Sequence, residues 1–522
     1  MFPFNKLSGL YKSSAVVSAW TLLSRLMGFI RDILFASILG TGPIADAFLV
    51  AFRVPSLFRR FFAEGAFSAA FIPILSKEYE KYGVQGGILF TSKIASFLLV
   101  FILPLIILSE IFMPNIIYLI APGFMEDAIR FELAVPYARI IFPYLIFIIF
   151  TALFAACLNT NGKFWSGAAA PIILNVFLII ALIMSRYIAS DVGIIMSWAV
   201  LLAGVFQMLL LAWDSYRNGL AFSISFPKID NDIKLFIKRF IPGAFGAGVI
   251  QVNLLVGSIF ASQIPGAISW LYYSDRIAQL PLGIIGIAIG TALLPDLAQK
   301  INLGQIKKQN LVQERAILLT IFFSIPSSVA LIYLSHLVIS TLFGYGAFIE
   351  SDIVATSNAL NIYALAIPAF MFIKVLSPNF FARQDTKTPV KIAAFCATIN
   401  IILTWYLMNK IGYLGIALSL CIAGYINALL LLFILIKRRF YIVSNIFFIA
   451  LIKIIVTTII MLLSLYVLNQ FYLNYYLIPS KFMNIFKLSS FIVVGVFIFF
   501  SFSYILGLKN YFFSKTMLNN NK

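Results

Sequence analysis

The fold this sequence predicts is an all-α polytopic membrane protein with about fourteen transmembrane helices. Three observations carry that reading. Hydrophobic residues make up 62% of the 522 and charged residues only 11%, with mean hydropathy +1.01; a soluble domain has about 45–50% apolar and about 25% charged residues. Apolar runs long enough to cross a bilayer recur along the whole chain, joined by short connections. Positive charge collects in alternate connections.

A spanning helix needs about 20 apolar residues. Runs of that kind fall near 13–39, 45–76, 88–120, 131–158, 168–187, 192–213, 236–262, 266–295, 312–342, 353–382, 389–408, 413–436, 445–468 and 485–507. The first is preceded by a short stretch, Met1–Lys12, without a small-residue cleavage site, so it is expected to remain as a helix. An even number of spans returns both termini to one side. One set of connections holds Lys77, Lys163, Arg217, Lys300, Lys387 and Lys437-Arg438-Arg439; the other holds little beyond Arg130, Arg186, Lys410, Lys481 and Lys487, with Glu126, Asp127 and Glu132. The positive-inside rule places the basic set and both termini in the cytoplasm, and Glu126-Asp127 outside. That rule also accounts for most of the +19 net charge. The basic residues are too dispersed for a nucleic-acid surface.

Within this order, Asn302–Glu314 is polar and basic and reads as an amphipathic piece along the inner surface. The turn Arg383-Gln384-Asp385-Thr386-Lys387-Thr388-Pro389 offers Thr388 as a helix N-cap, with Pro389 at the first helical position. Cys157, Cys396 and Cys421 are scattered in apolar runs and make neither a disulfide framework nor a metal spacing. His336, the single histidine, reads as an interfacial residue. The absence of a Gly-rich phosphate loop, a His pair or a Ser-His-Asp pattern leaves an enzymatic role without support.

A short echo links Phe67–Lys77 to Ile289–Lys300, roughly 220 residues apart; each is a small-residue apolar run that meets a proline and then a lysine. Parallel repeats of about six spans are a transporter design with the site between the halves. On this reading the chain has an N-terminal lobe at 1–220 and a C-terminal lobe at 221–440. Two added helices and a tail follow at 441–522.

The chemistry is concentrated in the charge. Ser24-Arg25-Leu26-Met27-Gly28-Phe29-Ile30-Arg31-Asp32 interrupts the first apolar run. Arg25 lies about a dozen residues beyond Lys12, which at 1.5 Å per residue is roughly mid-membrane, and Gly28 leaves room beside it. In the second run Arg53 and Arg60 share a helix face, Arg59 points about 100° away, and Glu64 lies one turn beyond Arg60, where it can pair with it. Pro55 should bend that helix, and Gly65 and Ala66 allow close packing. Asp46 stands at the start of the second run, and Asp275-Arg276 lies well inside the eighth. Ionisable residues at this depth cost roughly 2.5–3.5 kcal/mol each on insertion scales and usually face a wet interior. One reading is structural pairing: Arg31 with Asp32 or Asp46, Arg60 with Glu64, Arg276 with Asp275. The other follows from arginines outnumbering acids in these runs. Surplus guanidinium groups suit a phosphate-bearing ligand, which they grip with a planar fork.

These stretches, together with Ala45-Asp46-Ala47-Phe48, Leu57-Phe58-Arg59-Arg60-Phe61-Phe62-Ala63-Glu64-Gly65-Ala66-Phe67, Trp270-Leu271-Tyr272-Tyr273-Ser274-Asp275-Arg276 and Asp385-Thr386-Lys387-Thr388-Pro389-Val390-Lys391, resemble the MurJ (MviN) lipid II flippase family of bacteria. That family belongs to the multidrug/oligosaccharidyl-lipid/polysaccharide (MOP) exporter superfamily. The resemblance implies the MOP flippase fold: two six-helix lobes plus two C-terminal helices that form a groove for a lipid tail. It implies a cationic cavity with Arg25, Arg31, Arg59 and Arg276 as substrate-binding residues. Asp46, Arg53, Arg60, Glu64 and Asp275 are expected as supporting charge. The activity implied is flipping of lipid II, the undecaprenyl-diphosphate-linked peptidoglycan precursor, across the bacterial inner membrane by alternating access, with the roles in cell-wall biogenesis and cell shape that follow. No cofactor is expected. Some members use a sodium site whose ligands cannot all be placed here, so coupling to Na+ or to the membrane potential stays open. A monomer is expected, with lipid II and membrane lipids as partners and cell-wall synthesis proteins as candidates. The alternatives are another MOP-superfamily flippase for polysaccharide-lipids, a cation-coupled drug exporter, or a non-transporting cell-wall scaffold. A drug exporter for cations should carry acidic cavity residues, and a scaffold has no need of arginines at mid-depth.

Overall fold

Ten helices among the described residues are long and apolar enough to cross a membrane. The computed structural model describes residues 4–63, 66–224, 230–475 and 481–513, and every regular element among them is helical. In chain order these are α1 (Phe4–Leu39), α2 (Pro43–Ala63), α3 (Ala66–Ile111), α4 (Met113–Ile120), α5 (Ala128–Ile141), α6 (Tyr144–Thr160), α7 (Trp165–Met184), α8 (Val192–Arg217) and α9 (Asn231–Ala261). There follow α10 (Ala267–Pro281), α11 (Ile287–Asn302), α12 (Ile306–Phe343), α13 (Glu350–Phe381), α14 (Lys387–Ile411), α15 (Tyr413–Lys437), α16 (Asn445–Tyr475), α17 (Lys481–Ile505) and the short α18 (Lys509–Phe513).

The ten apolar spans do not include α1, α2, α9 or the pair α10–α11, which occupy the remaining expected segments and carry the arginines expected at the site. Within its 21 residues α2 has Asp46, Arg53, Arg59 and Arg60. The eighth expected span is broken instead of continuous. Pro281 ends α10, and a π-helical turn at Leu282–Gly286 joins it to α11. A proline cannot donate to the carbonyl one turn earlier, and a widened turn is one way for the chain to accommodate the lost bond. Two boundaries also differ from the sequence reading. The second expected run is divided between α2 and the start of α3. The connection expected at 77–87 is itself helical apart from Gly83, where φ of 67° and ψ of −163° break α3 in two. Glycine takes that left-handed φ without a Cβ clash.

The chain forms two compact units, Met1–Ser269 and Trp270–Lys522. This division falls later than the lobe boundary expected at 220/221, because α9 packs along α3 in the first unit. Phe236 of α9 meets Phe67 edge-on at 5.7 Å, and Lys93 of α3 binds both Asp230 and Asp232 at 2.5 and 3.0 Å. Burial raises the Asp230 carboxyl, but the Lys93 ammonium and two backbone N–H groups outweigh that and hold it below its ordinary value. Elsewhere in this unit α1 lies on α7, α7 and α6 on α8, and α2 on α5 and α6. Tyr137, Tyr144, Phe71 and Phe90 are among its fully buried side chains.

In the second unit α13 packs against α12 and α15, and α15 against α14. The pair α16–α17, expected as an addition to two lobes, packs on α12 and belongs to this unit, with Phe322 and Phe499 at 4.8 Å. The link from α15 to α16 is tied down by side chains. Asn310 both donates to and accepts from the Ile442 backbone, at 2.8 and 2.7 Å, and buried Glu314 accepts from the Ser444 hydroxyl and N–H at 2.6 and 3.2 Å. The expected cap at Thr388 is corrected: α14 begins at Lys387, and Asp385 is the acceptor. Its carboxylate takes the Thr388 N–H at 3.0 Å and the Thr388 hydroxyl at 2.6 Å, and Arg438 adds a salt bridge at 2.7 Å. A carboxylate is the stronger acceptor, and Pro389 is tolerated within the first turn, where its missing N–H has no partner to lose.

The Thr388 hydroxyl and N–H, with Arg438, hold the Asp385 carboxyl down to about 2, from an ordinary 3.8. A depressed carboxyl contributes stability that is complete above the unfolded value and is lost as pH falls through the folded one. Asp385→Asn should therefore melt below wild type near neutral pH, and the gap should close as pH drops from 3.8 toward 2. Thermal melting across that range checks this; a gap that does not change with pH would remove the carboxylate from the account.

Candidate site: arginines of the first two helices

On α1, the sequence places Ser24, Arg25, Gly28 and Arg31 within two helical turns. Arg25 is exposed and makes no ion pair among the described residues. Arg31 is half-buried and held from two directions. Its Nε and Nη2 donate to Asp32 Oδ1 at 3.0 and 2.7 Å, and its Nη1 donates to Asn175 Oδ1 on α7 at 3.0 Å. Of the two expected partners, Arg31 therefore takes Asp32. Asn175 also donates from Nδ2 to the Ser24 carbonyl at 3.0 Å, passing over Gly28. Sequence reasoning did not single out Asn175. The available signal was one amide in the otherwise apolar run Ala168–Met184.

On α2, Asp46 proves to be a fastening group instead of a cavity charge. It is fully buried and accepts from the Gly266 N–H at 2.9 Å, the Ser269 N–H at 3.1 Å and the Ser269 hydroxyl at 2.6 Å. These donors belong to the first turn of α10, where unpaired N–H groups and the helix dipole favour an anion. Arg130 of α5 completes the cluster. Its Nη1 lies 3.7 Å from Asp46 and donates to the Ser262 carbonyl at 3.0 Å; its Nε donates to Asp127 at 2.6 Å, and its guanidinium lies 4.7 Å from the Phe124 ring centre. At 2% exposure Arg130 is a core residue, although its position between acidic residues reads as a loop in the sequence.

Arg53 and Arg59 are half-buried on α2. The buried Tyr144 hydroxyl on α6 donates to Gln207 at 3.2 Å. The Arg60 side chain and Glu64 lie outside the described residues, and with them the expected Arg60–Glu64 pair. In the second unit Arg276 is half-buried with its guanidinium 4.8 Å from the Tyr272 ring centre, and Asp275 accepts from Gln279 one turn on. That unit also holds a cavity of about 490 Å³ lined by Tyr333, His336, Ser340, Glu350, Asn469 and Lys487. It contains none of the arginines named for the site.

The family model described as "Lipid II flippase MurJ" matches residues 35–487. A "Probable lipid II flippase MurJ" of Rhizobium tropici is 40% identical over 438 residues, which is 83% of this chain and 82% of that protein. One of Rickettsia prowazekii is 36% identical over 505 residues, covering 96% and 99%. A solved structure titled "Lipid II flippase MurJ, inward closed conformation" superposes with a TM-score of 0.81 at 29% identity, covering 95% of this chain and 99% of that one. An inward-facing multidrug resistance MATE transporter of the MOP superfamily shares the fold, with a TM-score of 0.68 at 16% identity. A family match across most of the sequence, close relatives along nearly all its length, and a common fold with the same helical order agree: the chain belongs to the MurJ lipid II flippase family.

Proposed function

We propose that this flippase moves lipid II from the inner to the outer leaflet of the bacterial cytoplasmic membrane, with both termini cytoplasmic. Arg25, Arg31, Arg59 and Arg276 hold the diphosphate and the sugar-peptide head during the crossing. The observation that carries this is Arg25: it is exposed on α1, without an ion-pair partner among the described residues, about a dozen residues beyond Lys12. Such a cation is costly in hydrocarbon and stable in a wet, anion-receiving space. Arginine suits this task because it stays charged when buried and presents a planar fork to phosphate oxygens.

The head crosses in that space while the polyprenyl tail stays in lipid, and access alternates between the two sides of the membrane. The direction has a physical source. An anionic head carried outward moves down an inside-negative potential, which contributes roughly 2.3 kcal/mol per charge per 100 mV. Coupling to Na+ is the other candidate. A cation exporter on the same fold is disfavoured by charge: α1 and α2 carry Arg25, Arg31, Arg53 and Arg59, while Asp32 is engaged by Arg31 and Asp46 by α10.

Two outcomes are expected. Arg25→Ala, Arg59→Ala and Arg276→Ala should each weaken lipid II binding by the purified protein roughly 10- to 150-fold, the range for losing one hydrogen bond to a charged group. The matching Lys variants should recover part of that loss, because they keep the charge without the fork. Unchanged binding in all three folded Ala variants would return the arginines to a structural role. Reporter fusions should place both termini and Lys437-Arg438-Arg439 inside and Glu126-Asp127 outside; either terminus outside would break this topology.

A further inference from the structure

Asn175 has a geometry that only a carboxamide satisfies. It is 7% exposed on α7 and reaches across α1 from Ser24 to Arg31. A guanidinium can only donate and a backbone carbonyl can only accept, so the two partners fix which way the amide faces. Aspartate would set a second acceptor against the Ser24 carbonyl. Leucine would leave both α1 groups without this partner. Gly28 lies between the two contacts, and a Cβ there would stand 3.5 Å from Nδ2, an ordinary van der Waals contact, so the amide lies directly against this face of the helix.

Asp32 and Asn175 tether Arg31 in different ways. Asp32 is charged, buried and adjacent on the same helix, and it draws Nε and Nη2. Asn175 is neutral, comes from another helix and holds Nη1. A neutral tether fixes the direction of a long side chain without cancelling its charge. Ordering that chain before the ligand arrives removes part of the entropy cost of binding.

We propose that Asn175 is a positioning residue that aims the Arg31 guanidinium at the anionic head of the lipid substrate. This rests on the reading that Arg31 contacts that head. The test is a double-mutant cycle on the full-length protein in nanodiscs, with lipid II binding and thermal melting measured for Asn175→Ala, Arg31→Ala and the double variant. Asn175→Ala should weaken binding about tenfold, the order of one hydrogen bond to a charged group. In the Arg31→Ala background the same change should cost nothing further, because residues that act through one another are not additive. Losses that multiply, or that follow the drop in melting temperature alone, would make Asn175 merely structural and overturn the proposal. Where the alanine variant does not fold, Asn175→Ser takes its place in the cycle with the same criteria. If Arg31→Ala binds as wild type while Arg25→Ala and Arg59→Ala do not, Arg31 lies outside the site and the proposal falls, whereas the reading of the other arginines stands.

Discussion

A guanidinium below the membrane surface needs acceptors within reach, and the first unit is organised around how completely each one is answered. Arg130 is answered in full, by Asp127, the Ser262 carbonyl, Asp46 and the face of Phe124. Taking away one member of such a buried set leaves an uncompensated charge, at a cost of about 3–5 kcal/mol. Arg31 is answered by Asp32 and Asn175 and stays half-buried. Arg25 is exposed. This gradient separates an arginine that holds the fold from the arginines proposed for a ligand.

Asp46 shows the same economy from the anionic side. One carboxylate accepts from two backbone N–H groups and a hydroxyl at the start of α10, while Arg130 balances its charge. The second unit places comparable ties at the ends of its helices: Asn310 and Glu314 on the α15–α16 link, Asp385 and Arg438 on the α13–α14 turn. Between these ends the helices are largely apolar, with a few polar ties such as Tyr425 to the Leu365 carbonyl at 2.9 Å and Thr404 to Ser419 at 2.6 Å. In a bilayer the lipid tails are as apolar as leucine, so packing and a few polar ties must give helix association its specificity.

Composition alone was enough to read the helical membrane class, because a bilayer leaves few other ways to satisfy the backbone. The arginines were legible too, since charge in an apolar run is conspicuous. The partners were less so. Arg31–Asp32 could be listed from adjacency, but the choice of Asp32 over Asp46 depended on a third group, the first turn of α10, some 220 residues along the chain. Asn175 is 144 residues from Arg31 and lies in a run whose periodicity says only that it is a helix. The place of α9 in the first unit depends on Lys93 and Phe67 of α3, which no local pattern connects to it. The cap at Asp385 was missed for a local reason: Thr388 and Asp385 both satisfy the capping rule, and the stronger acceptor prevailed.

The resemblance to a drug-exporting MATE transporter sharpens what the fold can and cannot decide. Two chains 16% identical can share this architecture at a TM-score of 0.68, so the architecture supplies a way to move a cargo and leaves its identity open. That identity is set by a few side chains at membrane depth. A cargo shifts a conformational balance only through a difference in its affinity for the states involved. For an anion, that difference has to come from cations whose charge is not already cancelled. Full neutralisation, as at Arg130, removes a residue from this role. The bond from Asn175 to Arg31 is neutral and adds nothing to the pairing that Asp32 already makes. The acids that remain near these arginines matter as much as the arginines do, because each one sets how much positive charge is left for the substrate to meet.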